Sequence, residues 1–511
     1  MNYNRPLYIP ISQAWQNNGT LNLNAAGTLN LGGNFTADDI TARLGSFSRN
    51  EGSLNLTGTF DLYHNDSISG GNSSLDIHTG RLALGPNGTA ADLLKGPLNS
   101  VSGTLKNGVV YSSGSTHLQG NGATLDQITL GDPSGLSPNL FIDGSFTVPA
   151  GSPMPGSLTL LGGTTVASTA TWTFGNQSGL AGSGSTLPTA PGSFIITAGG
   201  ITAGDDFFVS PDVLVDITGG SLSAGARFTQ NGTITLNNGG SLSAGDGFTQ
   251  NGSDSINSGG TVTMGTANSA DMWTNYGTLT LNPGGTLNLG GSFNADDIGG
   301  RLGTFNRSGG MVNLTGSFDL YHNDTILGGA SSLDIHTGQL SLGPSGTPSG
   351  LLLGPLDSIQ GTISNGVIYS SGSTPLQGGN GSPGSKGELS NVTLGTISNP
   401  ALVVTGGFNV PSTLILGDHA VIDSRADWNF SGEGGLFSVY QPTVGPTFNV
   451  NGGNVAGGYF FQIASDVTVN INSGGTLYFG DGSSGFWQNN GSLTLNDGGT
   501  LNLGGTFTAD T

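Results

Sequence analysis

Aspartate and histidine stand two residues apart in "LDIH" at Leu75–His78, and again at Leu333–His336. On an extended strand the side chains at i and i+2 share a face. Asp76 beside His78, and Asp334 beside His336, could therefore form a dyad in which a carboxylate orients an imidazole as general base. "LYHND" supplies His64, Asn65 and Asp66, then His322, Asn323 and Asp324 in a second copy. Adjacent carboxylates occur at Asp38/Asp39, Asp296/Asp297 and Asp205/Asp206 and could bind calcium. Calcium takes about six to eight oxygens, and none of these clusters has the stepwise spacing of a calcium loop or the Gly-Gly-x-Gly-x-Asp nonapeptide. Asp and Asn are also turn builders, which is the role expected of them here. An exposed Asp–His pair with no nucleophile at fixed spacing is expected to be a solvated pair. No residue is accordingly assigned a catalytic, cofactor-binding or metal-binding role, and the chain is expected not to be an enzyme.

Hydroxyl pairs recur as Ser221/Ser223, Ser241/Ser243 and Thr261/Thr263, 20 residues apart. Stacked, they would form a short outward ladder of the kind an ice-binding face needs. The related strand "TLNL" places Asn where the second hydroxyl should be, so a merely polar face is expected. Asn-x-Ser/Thr triplets such as those at Asn55 and Asn313 are glycan acceptors only in a eukaryotic secretory route, and a chain this rich in Asn, Ser and Thr generates them by composition. No phosphate loop, zinc pattern or dinucleotide fingerprint is present.

These residues must be positioned by something other than helices. The chain has 511 residues, 93 of them Gly and none Cys, and carries a net charge of −21 with eleven basic residues. Disulfides and thiolate metal sites are excluded. A strongly negative field repels phosphate backbones and anionic lipid surfaces, so no nucleic-acid partner is expected. No apolar run is long enough to cross a bilayer as a helix, and no direct membrane insertion is expected. Met1–Pro10 lacks the features of a secretory signal.

Leu, Val, Ile and Phe alternate with Thr, Asn and Ser in short runs bounded by Gly, the pattern of strands and turns. Helical periodicity is confined to single turns at Ala37–Ile40 and Thr89–Leu98. "GGSLSAG" at Gly219–Gly225 recurs at Gly239–Gly245, with the related "GGTVTMG" at Gly259–Gly265. A longer phrase opens at Trp15, Trp273 and Trp487, at intervals of 258 and then 214 residues, and most of the difference is two 20-residue units. A globular core could not lose such units, whereas a stack whose coils touch only their neighbours can.

The fold expected is all-β, a right-handed parallel β-helix (solenoid) with coils of about 20 residues and no substantial helix. In "GGTLNLGG" Leu287 and Leu289 should face inward, and Thr286 and Asn288 outward. The handful of inward side chains in one coil supplies roughly 1.5–3 kcal/mol each, against roughly 1.5 kcal/mol of ordering per residue, so a coil needs its neighbours. Residues 1–511 are read as one continuous β-helix fragment, comprising a first long repeat (15–272), a second, shorter one (273–486) and the start of a truncated third (487–511). Proline-rich stretches at Gly131–Asn139, Val148–Gly156, Ser185–Gly192 and Gly378–Glu388 should protrude as loops. An end left uncapped should expose strand edges and favour end-to-end self-association.

The phrase order "GGTLNLGG…RLGTF…SGGMVNLTGSFD…LDIHTGQLSLG…GTISNGVIYSSG…GELSNVTLG", from Gly284 to Gly395 and again from Gly27 to Gly131, resembles the strand repeats of very large bacterial surface proteins, the autotransporter passengers and filamentous-haemagglutinin-like adhesins. The secretion domain and outer-membrane barrel of such proteins are not in this sequence. The resemblance implies extracellular or cell-surface display and attachment, with surface glycans or other cell-surface proteins as partners, and carries over no catalytic residue. A polysaccharide-acting lyase or glycosidase on the same scaffold is the alternative, and an ice-binding surface the second alternative.

Overall fold

The structure is a computed structural model. It describes residues 7–8, 15–24, 27–36, 43, 45–50, 53–56, 59–61, 67–68, 74–76, 81–84, 100–112, 116–132, 139–150, 156–183, 190–265, 273–294, 301–319, 325–326, 331–335, 339–342, 358–370, 372–379, 385–479 and 486–504. Helical geometry among them is limited to Arg43, Arg301 and Leu302. The single turns expected at Ala37–Ile40 and Thr89–Leu98 lie outside the described residues, as do the central parts of the four proline-rich stretches. Two compact units are present, Met1–Thr263 with Trp273–Thr280, and Met264–Met272 with Leu281–Thr511.

The first unit is a parallel β-solenoid. Its regular part shows three strands per coil. Gly192–Ile196, Val213–Ile217, Thr233–Leu236 and Ser253–Ile256 pair successively as one parallel column. Gly200–Ala203, Ser221–Ala224 and Ser241–Ala244 form a second. Phe208–Val209, Thr229–Gln230, Thr249–Gln250 and Thr274–Asn275 form the third. Register is fixed by the pleat, because a slip of one residue would turn every inward side chain out. Leu222 therefore lies over Leu242 and both are buried, while Ser223 and Ser243 face solvent. The corners need a left-handed backbone at equal intervals, and Gly219, Gly239 and Gly259 supply it with φ of 128°, 92° and 76°.

The second unit repeats the architecture. Thr447–Val450, Thr468–Ile471 and Ser492–Leu495 make one parallel column, and Gly453–Gly457, Gly475–Phe479 and Thr500–Leu503 another. Leu287 and Leu289 are fully buried, as their alternation requires.

The coil averages about 24 residues, near the 20 expected. The shorter spacing holds where Ser221 pairs with Ser241 and Thr229 with Thr249. Elsewhere Thr171 pairs with Gly200 and Thr165 with Ser193. Strands stay at about four residues in these coils, so the added length lies between strands, where insertion costs little.

Each unit has an aromatic column inside. Phe146 stacks on Trp172 at 5.0 Å, Trp172 meets Phe194 at 5.5 Å, and Phe174, Phe207, Phe228 and Phe248 continue at 5.0–5.5 Å. In the second unit Phe408, Trp428 and Phe448 repeat the first three, and Phe430, Phe461, Phe479 and Trp487 run on from Trp428. A buried indole N–H needs an acceptor. Ser168 Oγ accepts a hydrogen bond from Trp172 Nε1–H at 2.8 Å, and Ser424 Oγ one from Trp428 Nε1–H at 2.6 Å.

Candidate functional site

The chemistry of this chain lies on the lateral faces, where outward residues of successive coils come into register. Asp143 on the strand Asn139–Val148 receives two hydrogen bonds from neighbouring coils. His117 Nδ1–H donates to its Oδ2, and Thr169 Oγ1 donates to its Oδ1 at 2.6 Å. The three residues are 26 apart in each step, one coil each. Pairing accounts for the alignment: Ile142 sits beside Leu118 and Ser168, which brings the adjacent His117, Asp143 and Thr169 together. The His117 imidazole also stacks on Phe141, with centroids 5.2 Å apart. Partial burial pushes the Asp143 carboxyl up, but the Thr169 and His117 hydrogen bonds and the His117 charge outweigh it and leave the pKa below the usual value.

This arrangement fixes Nδ1 and leaves the imidazole side chain 46% exposed. It has the base and orienting acid of a catalytic triad. Nε2 makes no hydrogen bond to a described residue, and no group of three His, Cys, Asp or Glu that could hold a metal occurs among the described residues. The matching positions of the second long repeat, found by aligning "STHLQG" with "STPLQG", "LFIDGSF" with "LVVTGGF" and "ASTATW" with "DSRADW", are Pro375, Thr405 and Arg425. The cluster belongs to one repeat alone. Motif reading missed it because its members are far apart in sequence; the equal spacing of 26 is the signal that could have found it.

Of the residues singled out from the sequence, Asp334 is half-buried and accepts a hydrogen bond from Asn365 Nδ2 at 3.1 Å, with Ile335 buried beside it. The side chain of Asp76 and the whole of His78 and His336 lie outside the described residues, as do His64, Asn65, Asp66, His322, Asn323, Asp324, Asp38, Asp39, Asp296 and Asp297. Asp205 and Asp206 are described, and they build a corner. Asp206 adopts φ 58° and takes a two-pronged ion pair from Arg227 at 2.6 and 2.9 Å, which with its charge holds the carboxyl below its usual pKa despite some desolvation. Asp205 Oδ1 accepts the Ala226 N–H at 2.9 Å. Each acid serves the next coil. Asn313 is buried, with Nδ2 donating to Asn288 Oδ1 at 2.7 Å. Ser221 and Ser223 stack on Ser241 and Ser243 as two rungs of a hydroxyl ladder.

Directional amide ladders cover more of the lateral surface. Asn496 donates to Asn472, Asn472 to Asn451 and Asn451 to Asp423 at 2.6, 2.6 and 3.2 Å. Asn470 donates to Asn449, which donates to the same Asp423 oxygen at 2.8 Å. Asn257, Asn237 and Asp216 form a third series, and Asn391, Asn365 and Asp334 a fourth. All four point toward the N-terminal coil and end on aspartate. An amide both donates and accepts and can stand mid-ladder, whereas a carboxylate only accepts and must be terminal.

No family model and no curated protein matches the chain.

Proposed function

We propose that the chain is a non-enzymatic structural and adhesive segment of a large, surface-displayed or secreted bacterial repeat protein, whose coils present polar lateral faces for attachment to surface glycans or cell-surface proteins. The observation that carries this reading is the contrast between interior and exterior in the two long repeats. Phe146, Ser168 and Trp172 recur as Phe408, Ser424 and Trp428, all buried. His117, Asp143 and Thr169 give way to Pro375, Thr405 and Arg425 on the outside. A scaffold kept while its surface chemistry changes is what a stalk with variable contact faces requires. The test is a glycan array and a cell-binding assay with the purified chain. Saturable binding weakened by changes at outward positions, with the fold intact, supports the reading; absence of binding to glycans and to cells counts against it.

One observation favours a second reading, a polysaccharide-acting enzyme: the Asp143-oriented imidazole of His117. A lyase acting on acidic sugars would also need a cation to neutralise the substrate carboxylate, and eleven basic residues are spread over the whole chain. Release of unsaturated sugar or reducing ends from a polysaccharide panel, abolished by His117→Ala, would favour the enzyme over the stalk.

A further inference from the structure

Asp254 occupies a position reserved for an apolar side chain. In the column Val213–Ile217, Thr233–Leu236, Ser253–Ile256, register sets Val215 beside Ile234 and Ile234 beside Asp254. The strand Thr278–Leu281 pairs on the other side and buries Leu279. Asp254 is 1% exposed, and among the described residues neither carboxylate oxygen makes a well-formed hydrogen bond, the Ile234 backbone giving only a partial favourable interaction.

A second acceptor in the same coil is also unsatisfied. Gln230, Gln250 and Asn275 stack inside the neighbouring column. Gln230 Oε1 accepts the Gly252 N–H of the next coil at 3.2 Å. The equivalent donor for Gln250 is Gly277 N–H, but the shorter Asn275 captures it with its own Oδ1 at 2.9 Å, and Gln250 Oε1 is left without a partner. The coil thus buries three oxygens that make no well-formed hydrogen bond among the described residues. Adding one proton converts a carboxylate oxygen from a surplus acceptor into a donor and removes a buried charge, the costliest group to hold in an apolar interior.

We propose that the coil running through Thr249–Gln250 and Ser253–Ile256 is a proton-dependent weak rung, closed while Asp254 is a carboxylic acid and opening locally when it gives its proton to solvent. No titratable side chain on the described strands packed around it compensates the charge. The strands Thr233–Leu236, Thr278–Leu281, Thr229–Gln230, Thr249–Gln250, Thr274–Asn275, Ser221–Ala224, Ser241–Ala244 and Thr261–Met264 carry no titratable side chain. Asp216 is turned outward to Asn237, and Arg227 pairs with Asp206 on an exposed corner. Burial pushes the Asp254 carboxyl up to about 8, with the Ile234 backbone offsetting part of the rise. The group is therefore protonated in the closed coil and ionised in the open one at every pH between the ordinary carboxylate value and about 8. Throughout that window opening releases a proton, so the opening constant rises with pH and levels off above it.

Hydrogen exchange of the whole chain, corrected for intrinsic rates, tests this. Protection of Ser253–Ile256 should fall by close to tenfold per pH unit between about pH 5 and 7 and less steeply toward 8, while Thr468–Ile471 in the other unit stays level. Asp254→Asn, which cannot ionise, should flatten the profile. Asp254→Ile, which restores the column, should flatten it and raise protection. A flat wild-type profile overturns the proposal by itself, whatever the variants do. Equal slopes in wild type and Asp254→Asn would overturn it too.

Discussion

The buried Ser–Trp pair permits a matched prediction in both units. Ser168 Oγ accepts from Trp172 Nε1 at 2.8 Å and from Ala170 N–H at 3.1 Å, and Ser168 and Trp172 are both fully buried. Ser168→Ala leaves two donors without a partner where no water can replace the hydroxyl. Each orphan costs about 1–3 kcal/mol, so the variant should lose about 2–6 kcal/mol. Trp172→Phe removes the indole donor but opens a void in the aromatic column, at about 1–3 kcal/mol. In the double variant the orphaned indole no longer exists, so the penalties should fall short of their sum by about 1–2 kcal/mol. Native-state hydrogen exchange at Thr165–Ser168 and Thr171–Phe174 resolves the effect within one unit. Ser424 and Trp428, joined at 2.6 Å with Ala426 N–H at 3.3 Å, should give a cycle of the same sign. Strict additivity in both cycles would refute the idea that the hydroxyl is kept to satisfy the indole.

Other perturbations follow from the corners and ladders. Gly144 has φ of 94° and a Cβ there would lie 2.0 Å from Gly120 O, so Gly144→Ala should cost at least about 3 kcal/mol from strain and clash together; Gly406→Ala, facing Gly378 O at 2.3 Å, should match it in denaturation experiments. Asp423→Leu deprives Asn449 and Asn451 of their acceptor and should lower protection of Thr447–Val450 by about 1–3 kcal/mol, whereas Asp423→Asn, which keeps an acceptor, should change it by less than about 1 kcal/mol. Asp418 accepts from Thr443 Oγ1, Val444 N–H, Thr443 N–H and His419, and these hold its carboxyl well below the usual value against the desolvation that raises it. The contribution is thus complete above the ordinary carboxylate range and lost as pH falls through the lowered one; Asp418→Ala should bring pepsin cleavage at the 90%-exposed Tyr440 to higher pH.

What the sequence discloses divides along physical lines. Alternation in "TLNL" gives the inward set because the pleat has period two, and Leu287 and Leu289 are inside. The glycine phrase gives the corners at Gly219, Gly239 and Gly259, because only a residue without Cβ takes those φ values freely. Coil length is less legible, since the segments between strands vary in length while the strands do not, and a spacing read from the most regular stretch underestimates the rest. That uncertainty hides His117, Asp143 and Thr169, whose meeting depends on each coil spanning 26 residues. Asp254 is intermediate. Setting "GSDSIN" under "GTITLN" places it against Ile234, but an acid in a strand usually means an outward position, and only the packing shows it sealed in without a well-formed hydrogen bond.

The most direct test of a stack held by nearest-neighbour contacts is excision of residues 221–240, joining Gly220 to Ser241. Ser241 pairs with Ser221 and carries the same neighbours, so the junction recreates the backbone path it removes. Arg227 is lost, but its exposed pair with Asp206 contributes little. The shortened chain should fold, keep its strand content and retain wild-type hydrogen-exchange protection at Thr165–Ser168 and Thr171–Phe174, whereas excising only residues 221–230 should collapse protection around the cut. Loss of protection throughout the first unit on removing the full coil would contradict the solenoid reading.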